Sequence, residues 1–238
     1  MPLTEAKRRL RGFFARLDEN QSGVTIIEFA YSLPILMVLG FTGVETANLA
    51  VANMRVSQIA MTVADNLSRA KQSVPLGLPQ LREVDINDAL LGAKIQGGDS
   101  LAILNNGRII VSSLQQNASG KQTIKWQRCK GVLNVSSTYG AQGATQPTSG
   151  TGGFQGMGTG SNRVQAEPNS AIIFAEVTYD YQPVFGNWLL GAVRLRREAA
   201  FYVRDDRDIT GDATHADSVY NPTPTATASA CNVYNTAF

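Results

Sequence analysis

Residues 23–52 read Gly-Val-Thr-Ile-Ile-Glu-Phe-Ala-Tyr-Ser-Leu-Pro-Ile-Leu-Met-Val-Leu-Gly-Phe-Thr-Gly-Val-Glu-Thr-Ala-Asn-Leu-Ala-Val-Ala, and this stretch decides the fold. Between Val24 and Met54 only Glu28 and Glu45 are charged. Because an α-helix rises about 1.5 Å per residue, this stretch is longer than the hydrocarbon core of a bilayer, which is about 30 Å thick. The sequence therefore predicts a membrane-spanning helix over residues 24–52.

Glu28 is the residue of this helix that needs an explanation, since a carboxylate at the bilayer centre costs roughly 2.5–3.5 kcal/mol on insertion scales. One interpretation places it at the headgroup border, where it reaches water. In the other, a peptidase cuts after Gly23 and leaves a new amino group on Val24, with a reference pKa of about 8. That amine would pair with Glu28 of a neighbouring helix staggered by one turn, which fixes the register between subunits.

The residues around Glu28 form a pattern found in a known family. The run Gly-x-x-x-x-Glu-Phe-Ala-x-x-x-Pro is carried by Gly23, Glu28, Phe29, Ala30 and Pro34. It resembles the class III signal of type IV prepilins and, more narrowly, the TadE-like pseudopilins of the tight adherence (Flp) pilus system. Gly43-Val44-Glu45 also resembles a Gly-x-Glu pair near the end of the membrane helix in that family.

The resemblance implies an α+β, pilin-like fold, in which a membrane span and an amphipathic stalk form one long N-terminal helix packed on an antiparallel β-sheet. It implies cleavage by prepilin peptidase between Gly23 and Val24, and a role in assembly or register for Glu28, Phe29 and Pro34. The implied partners are that peptidase, other pilin and pseudopilin subunits, the inner-membrane assembly platform and the lipid bilayer. The implied function is assembly or priming of a tight adherence pilus, and through it surface adhesion. A place in the extracellular filament and a place at its base are both open.

Two other classes of protein fit the same stretch. One is a single-pass, membrane-anchored periplasmic binding or adhesion domain that is never cut. The other is a secreted protein whose signal peptide ends with the small residues Ala50-Val51-Ala52, which suit signal peptidase. The first residue of the mature protein separates the three classes. It would be Val24 for the pilin, Met1 for the uncut anchored domain and Asn53 for the secreted protein.

The distribution of charge indicates the topology. The net charge is +2, and the leader, residues 1–23, carries five basic and three acidic side chains. By the positive-inside rule the leader stays in the cytoplasm, the helix crosses the bacterial inner membrane and the remaining domain faces the periplasm. The chain after the leader is neutral, which argues against nucleic acid as a partner, because phosphate binding needs a basic face.

Two cysteines, Cys129 and Cys231, suit the oxidising periplasm. We expect one disulfide, which would tie the polar C-terminal tail, residues 212–238, to the domain. In the chain-entropy model, closing a loop of about 100 residues is worth roughly 4.7 kcal/mol. The alternative is a pair of unpaired buried thiols.

Hydrophobic periodicity divides the rest of the chain. Apolar spacings of three and four predict a stalk helix over 53–72, with a break near Asn53 as the alternative. Within the domain, residues 73–238, a second helix is predicted over 85–95 and a Gly-rich loop over 139–168. Strands are predicted over 101–104, 108–114, 122–128, 170–181 and 192–203, the first two joined by a hairpin turn at Asn105-Asn106-Gly107.

The acidic segment after the last strand has the spacing of a calcium loop. The residues that would bind calcium are Asp206, Asp208, Thr210 and Asp217. We prefer a solvated acidic turn, because a strand precedes the segment and its last position holds Asp where Glu is usual. His215 is the only histidine, and no serine or cysteine lies in a nucleophile pattern, so we expect neither enzyme activity nor a cofactor.

Overall fold

The apolar N-terminal stretch belongs to one continuous helix, α1, Ser22–Arg69. The computed structural model describes residues 22–145, 156–204 and 206–238, so the predicted leader lies outside it except for its last two residues. The helix passes Pro34 and Asn53 without interruption. The alternative of a separate stalk helix is therefore wrong, and the stalk ends at Arg69 rather than at residue 72.

The chain divides into two units, Met1–Ala47 and Asn48–Phe238. In the first unit most apolar side chains of α1 are exposed, and at least half of the surface is accessible for Val24, Ile27, Phe29, Leu36 and Leu39. So long an exposed apolar surface is rare on soluble monomers. By length and composition this helix can cross a membrane.

In the second unit the rest of α1 forms the centre of the core. Val56, Ile59, Val63 and Leu67 recur every three or four residues and are fully buried, as the periodicity predicts. The helix ends where the buried Arg207 side chain donates hydrogen bonds of 2.9 and 2.7 Å to the carbonyls of Leu67 and Ala70. A cation at this position satisfies carbonyl groups that have no partner inside the helix.

The second helix, α2, is Glu83–Leu101, and a short helix α3 is Asn187–Leu190. The strands are β1 Leu81–Arg82, β2 Gly107–Gln116, β3 Gln122–Lys130, β4 Ala171–Asp180, β5 Arg194–Tyr202 and β6 Val219–Tyr220. The main sheet is antiparallel with the order β3-β2-β4-β5, and β1 pairs with β6 in a small parallel sheet. The chain is thus α+β, as predicted.

The predicted hairpin at Asn105-Asn106-Gly107 is wrong. Leu101 is the last residue of α2, and Ala102 follows it with a left-handed backbone, φ 44°. The apolar residues 103–104 are buried in the core after the helix rather than in a strand. The hairpin occurs between β2 and β3 instead, where the Asn117 side-chain oxygen accepts two backbone hydrogen bonds within the turn.

Both faces of the main sheet are covered. One face carries Ile109 and Val177 and packs against α1 and α2. On the other face, Phe174 packs with Met157 and Tyr139, which belong to the described parts of the Gly-rich segment, residues 139–145 and 156–168. Because of this double cover, β2 and β4 are buried at every residue but the last.

The predicted disulfide is present and joins Cys129 of β3 to Cys231 in the tail. Beside it, the buried Arg108 guanidinium donates hydrogen bonds of 2.8 and 2.6 Å to the carbonyls of Gly131 and Cys231. The same guanidinium lies 4.0 Å from the ring centroid of Tyr234. The tail is therefore fixed by the disulfide and by Arg108, because this buried cation has to be hydrogen-bonded and a tail carbonyl group is one of its acceptors.

We expect the double variant Cys129→Ser, Cys231→Ser to lose about 4–5 kcal/mol in the free energy of unfolding, because the loop it opens spans 102 residues. The measurement is denaturant unfolding of the full chain in detergent, followed by circular dichroism. The reduced parent protein is the control and should behave like the variant. An unchanged unfolding midpoint would contradict a structural role for this bond.

Candidate functional site

The candidate processing and assembly segment lies at the start of α1. Gly23 and Val24 are helical and exposed, and a Cβ atom added at Gly23 would meet no atom within 4 Å. Glu28 lies one helical turn beyond Val24 and is also exposed. Phe29 is 60% exposed, and Pro34 is exposed within the continuous helix. These side chains are thus open to lipid, to an enzyme or to another subunit.

Hydroxyl groups of this helix are satisfied by its own backbone. Ser32 donates to the Phe29 carbonyl at 3.3 Å, Thr42 to the Val38 carbonyl at 2.6 Å, and Thr46 to the Thr42 carbonyl at 2.7 Å. Bonds of this kind allow Ser and Thr to lie in lipid without an unpaired polar group.

The second acid of the apolar stretch differs from the first. Because Glu45 lies 17 residues beyond Glu28, near the far boundary of the predicted span, the sequence predicts that its side chain reaches water there. In the structure it is fully buried, so that prediction is wrong. Of the two acids in this stretch, Glu28 is exposed and Glu45 is buried.

The proposed calcium ligands have other contacts. Asp208 accepts hydrogen bonds from the backbone of Thr210 and Gly211 and from the Thr210 hydroxyl, which closes a turn. Asp217 pairs with Arg128 at 3.1 Å, and Asp206 is exposed. Across the described ranges, no three Asp, Glu, His or Cys residues are grouped as metal ligands. These contacts give the calcium alternative no support.

The ionisation of Asp208 depends on Tyr220. Burial of the Asp208 carboxylate opposes its charge, but hydrogen bonds from the Tyr220 hydroxyl, Gly211 and Thr210 outweigh burial and lower its pKa to about 2. Burial and the bond to Asp208 in turn raise the pKa of Tyr220 to about 12. Since Tyr220 lies in β6, this pair fixes the acidic turn to the small parallel sheet.

A buried ionic cluster connects α2 with β3. Arg128 of β3 donates hydrogen bonds to both carboxylate oxygens of Glu83, the first residue of α2, and it also pairs with Asp217. Burial lowers the pKa of Arg128, but the bonds to Glu83 and Asp217 outweigh this and raise it. Removing one partner of such a cluster leaves an uncompensated buried charge. Its role is therefore to fix how these elements pack.

The structure reveals a second polar cluster that sequence reasoning missed. Glu176 of β4 lies directly opposite Glu198 of β5, an arrangement that is unfavourable for two like charges. Arg196 relieves it, since its guanidinium lies 2.7 Å from each carboxylate. Burial raises the pKa of Glu176, against hydrogen bonds from Ser137 and Thr138 that lower it. Without the strand register, no pattern in the sequence indicates this cluster.

The same cluster borders a groove of about 430 Å³ lined in part by Phe174, Arg196 and Glu198. Tyr139 donates a 2.9 Å hydrogen bond to Glu198 at this place. The charged groups are thus held by one another and by the adjoining loop. The cluster stabilises the covered face of the sheet.

Residues that could have formed a nucleophilic site have other partners. Both cysteines are used in the disulfide. His215 Nδ1 lies 3.2 Å from the Asp212 carboxylate, and the His215 ring lies 4.7 Å from the ring of Tyr220. The expectation that the chain is not an enzyme stays a prediction.

No protein-family model, curated protein or solved structure matches this chain. The resemblance to TadE-like pseudopilins is therefore carried by the residues from Gly23 to Glu45 alone. The functional proposal depends on those residues and on the contacts described above.

We expect Tyr220→Phe to raise the pKa of Asp208 from about 2 towards its ordinary value of 3.8. A carboxylate whose pKa is lowered by folding adds stability above pH 4, and this stability is lost as the pH falls from 4 to 2. The variant should thus be less stable than the parent at pH 7, by about 1 kcal/mol, with a smaller difference at pH 3. Denaturant unfolding at both pH values measures this.

The matched control is Tyr202→Phe, because the Tyr202 hydroxyl donates to the Gln165 carbonyl rather than to a carboxylate. Its effect on unfolding should be the same at both pH values. If Tyr220→Phe also shows no dependence on pH, the hydroxyl does not control the ionisation of Asp208.

Proposed function

We propose that this chain is a minor pilin or pseudopilin that takes part in assembly or priming of a tight adherence (Flp-type) pilus, and so in surface adhesion. Prepilin peptidase cuts between Gly23 and Val24 on the cytoplasmic side of the bacterial inner membrane. The exposed apolar part of α1 that begins at Val24 holds the mature chain in the bilayer, and residues 73–238 lie in the periplasm. The partners are other pilin and pseudopilin subunits and the membrane assembly platform, and the role needs no cofactor or nucleic acid.

The observation that carries this proposal is the two-part character of α1. Its first part begins with the Gly-x-x-x-x-Glu pattern and exposes apolar side chains, and its second part is buried under an antiparallel sheet. This is the arrangement that the family resemblance implies. The pilin-like character of the fold belongs to the proposal.

The position of Glu28 supports a role in assembly. Its side chain is exposed on a helix whose other exposed side chains are mostly apolar. In lipid it needs a partner, and the amine released at Val24 of an adjacent subunit is a cation at a matching distance of one turn. Such a pair fixes register more than it adds net stability.

Packing disfavours the secreted alternative. Leu49 and Ala52 pack with the core of the second unit, so cleavage after Ala52 would remove residues that the folded domain uses. An uncleaved, membrane-anchored binding or adhesion domain uses the same helix as the pilin. The N-terminal residue of the protein purified from membranes distinguishes these two.

We expect Gly23→Leu to stop processing, because a bulky side chain at the cleavage position would block the peptidase. Intact-mass analysis of protein extracted from cells that contain prepilin peptidase should show a chain starting at Val24 for the parent and at Met1 for the variant. Gly40→Leu is the matched control, since an added side chain at either glycine meets no atom within 4 Å.

The control should be processed like the parent. A parent chain that starts at Met1 in such cells would overturn the proposal and favour the uncleaved anchor. A start at Asn53 would favour the secreted protein.

We expect Glu28→Gln to leave cleavage intact but to reduce pilus assembly, because an uncharged side chain cannot pair with the amine of a neighbour. The control is Ser32→Ala, one turn further along, whose hydroxyl bonds only to the helix backbone at Phe29 in the described contacts. Counting surface pili by electron microscopy measures the effect. Normal piliation with Gln at position 28 would remove the assigned role.

A further inference from the structure

The connector between β4 and β5, residues 182–193, exposes large apolar side chains. Trp188 is 67% exposed and Val184 is 61% exposed. The other tryptophan of the chain, Trp126, is buried in the core. An exposed tryptophan close to a second exposed apolar residue is typical of a contact surface.

The connector lies next to the place where α1 enters the second unit. Asn48, the first residue of that unit, donates a 2.7 Å hydrogen bond to the hydroxyl of Tyr181. The Tyr181 backbone N–H donates to the Val193 carbonyl at 2.9 Å, so both ends of the connector meet there. The exposed apolar residues thus lie on the segment that begins and ends beside Asn48.

The length of the proposed membrane span indicates where Asn48 lies relative to the bilayer. At about 1.5 Å per residue, the helix from Val24 to Val44 covers about 30 Å, the thickness of the hydrocarbon core. Asn48 follows four residues later, which in the proposed topology is the headgroup region on the periplasmic side. Tryptophan is enriched in this region because its ring is apolar and its N–H is polar.

We propose that the connector dips into the periplasmic face of the bilayer and buries Trp188 and Val184 among the lipid headgroups and upper acyl chains. The partner is the lipid surface itself. The inference rests on the membrane-spanning part of the proposed function.

The charges around the connector indicate that this contact is apolar. Arg194, which follows the connector, forms a two-point ion pair with Asp180, with N–O distances of 2.6 and 2.9 Å. The pair is neutral, so it does not select anionic lipid. We therefore expect the same insertion into zwitterionic and anionic vesicles.

Tryptophan fluorescence tests the contact in the full chain, reconstituted into phosphatidylcholine vesicles with acyl chains brominated near the headgroup. Bromine quenches only nearby tryptophan, and Trp126 is 1% exposed. We expect brominated lipid to quench most of the Trp188 emission and acrylamide in the water to quench little of it. Trp188→Phe should remove the lipid-dependent quenching, and the emission of Trp126 gives the baseline.

Flotation of the vesicles separates failure of this inference from failure of the proposed function. If the chain floats with the vesicles but brominated lipid leaves Trp188 unquenched, the connector does not touch lipid and only this inference is overturned. If the chain does not float, the membrane span and the inference both fall. If Trp188 is quenched while chains from peptidase-containing cells still start at Met1, the inference stands and the proposed processing fails.

Discussion

A single helix has to satisfy two environments, and the rest of the chain depends on that constraint. The first part of α1 is apolar on all sides and exposed, whereas the second part is apolar only along the stripe that includes Val56, Ile59, Val63 and Leu67. This stripe must be covered, and α2 and one face of the main sheet cover it. The carbonyls at the end of the helix are then satisfied by Arg207, which comes from the far end of the chain.

Covering both faces of the sheet forces charged groups into the interior. Arg108, Arg128 and Glu176 are each less than a tenth exposed, and burial of an unpaired charge would cost several kcal/mol. Each has partners from a distant segment: tail carbonyls for Arg108, Glu83 for Arg128, and Arg196 for Glu176. The disulfide supports one of these pairings, because it holds the tail in the position where the tail carbonyl groups accept hydrogen bonds from Arg108.

The sequence predicted α1, α2 and strands β2, β3, β4 and β5, because apolar spacing indicates the helices, and runs rich in Ile, Val, Phe and Tyr indicate the long strands. The prediction was wrong where the same residue types occur in two different kinds of turn. Asn105-Asn106-Gly107 is typical of a hairpin turn, but here it completes the turn from α2 into β2, and none of the three residues has a positive φ. Strands β1 and β6 have two residues each, which is too short for alternation. The Glu176, Arg196 and Glu198 cluster depends on register, which a single sequence does not reveal.

The geometry of the proposed pairing at Glu28 also decides what kind of assembly it can form. Each subunit would carry one acid and one amine at different heights of the same helix, so the acid of one subunit meets the amine of the next. The two surfaces in such a contact are different, which makes the interface heterologous rather than two-fold symmetric. A heterologous contact between staggered helices does not close on itself as a dimer, and repeating it produces an open helical filament. An unpaired carboxylate in lipid is costly, by roughly 2.5–3.5 kcal/mol where it lies at the bilayer centre, so an unpaired Glu28 would favour polymerisation over an isolated subunit.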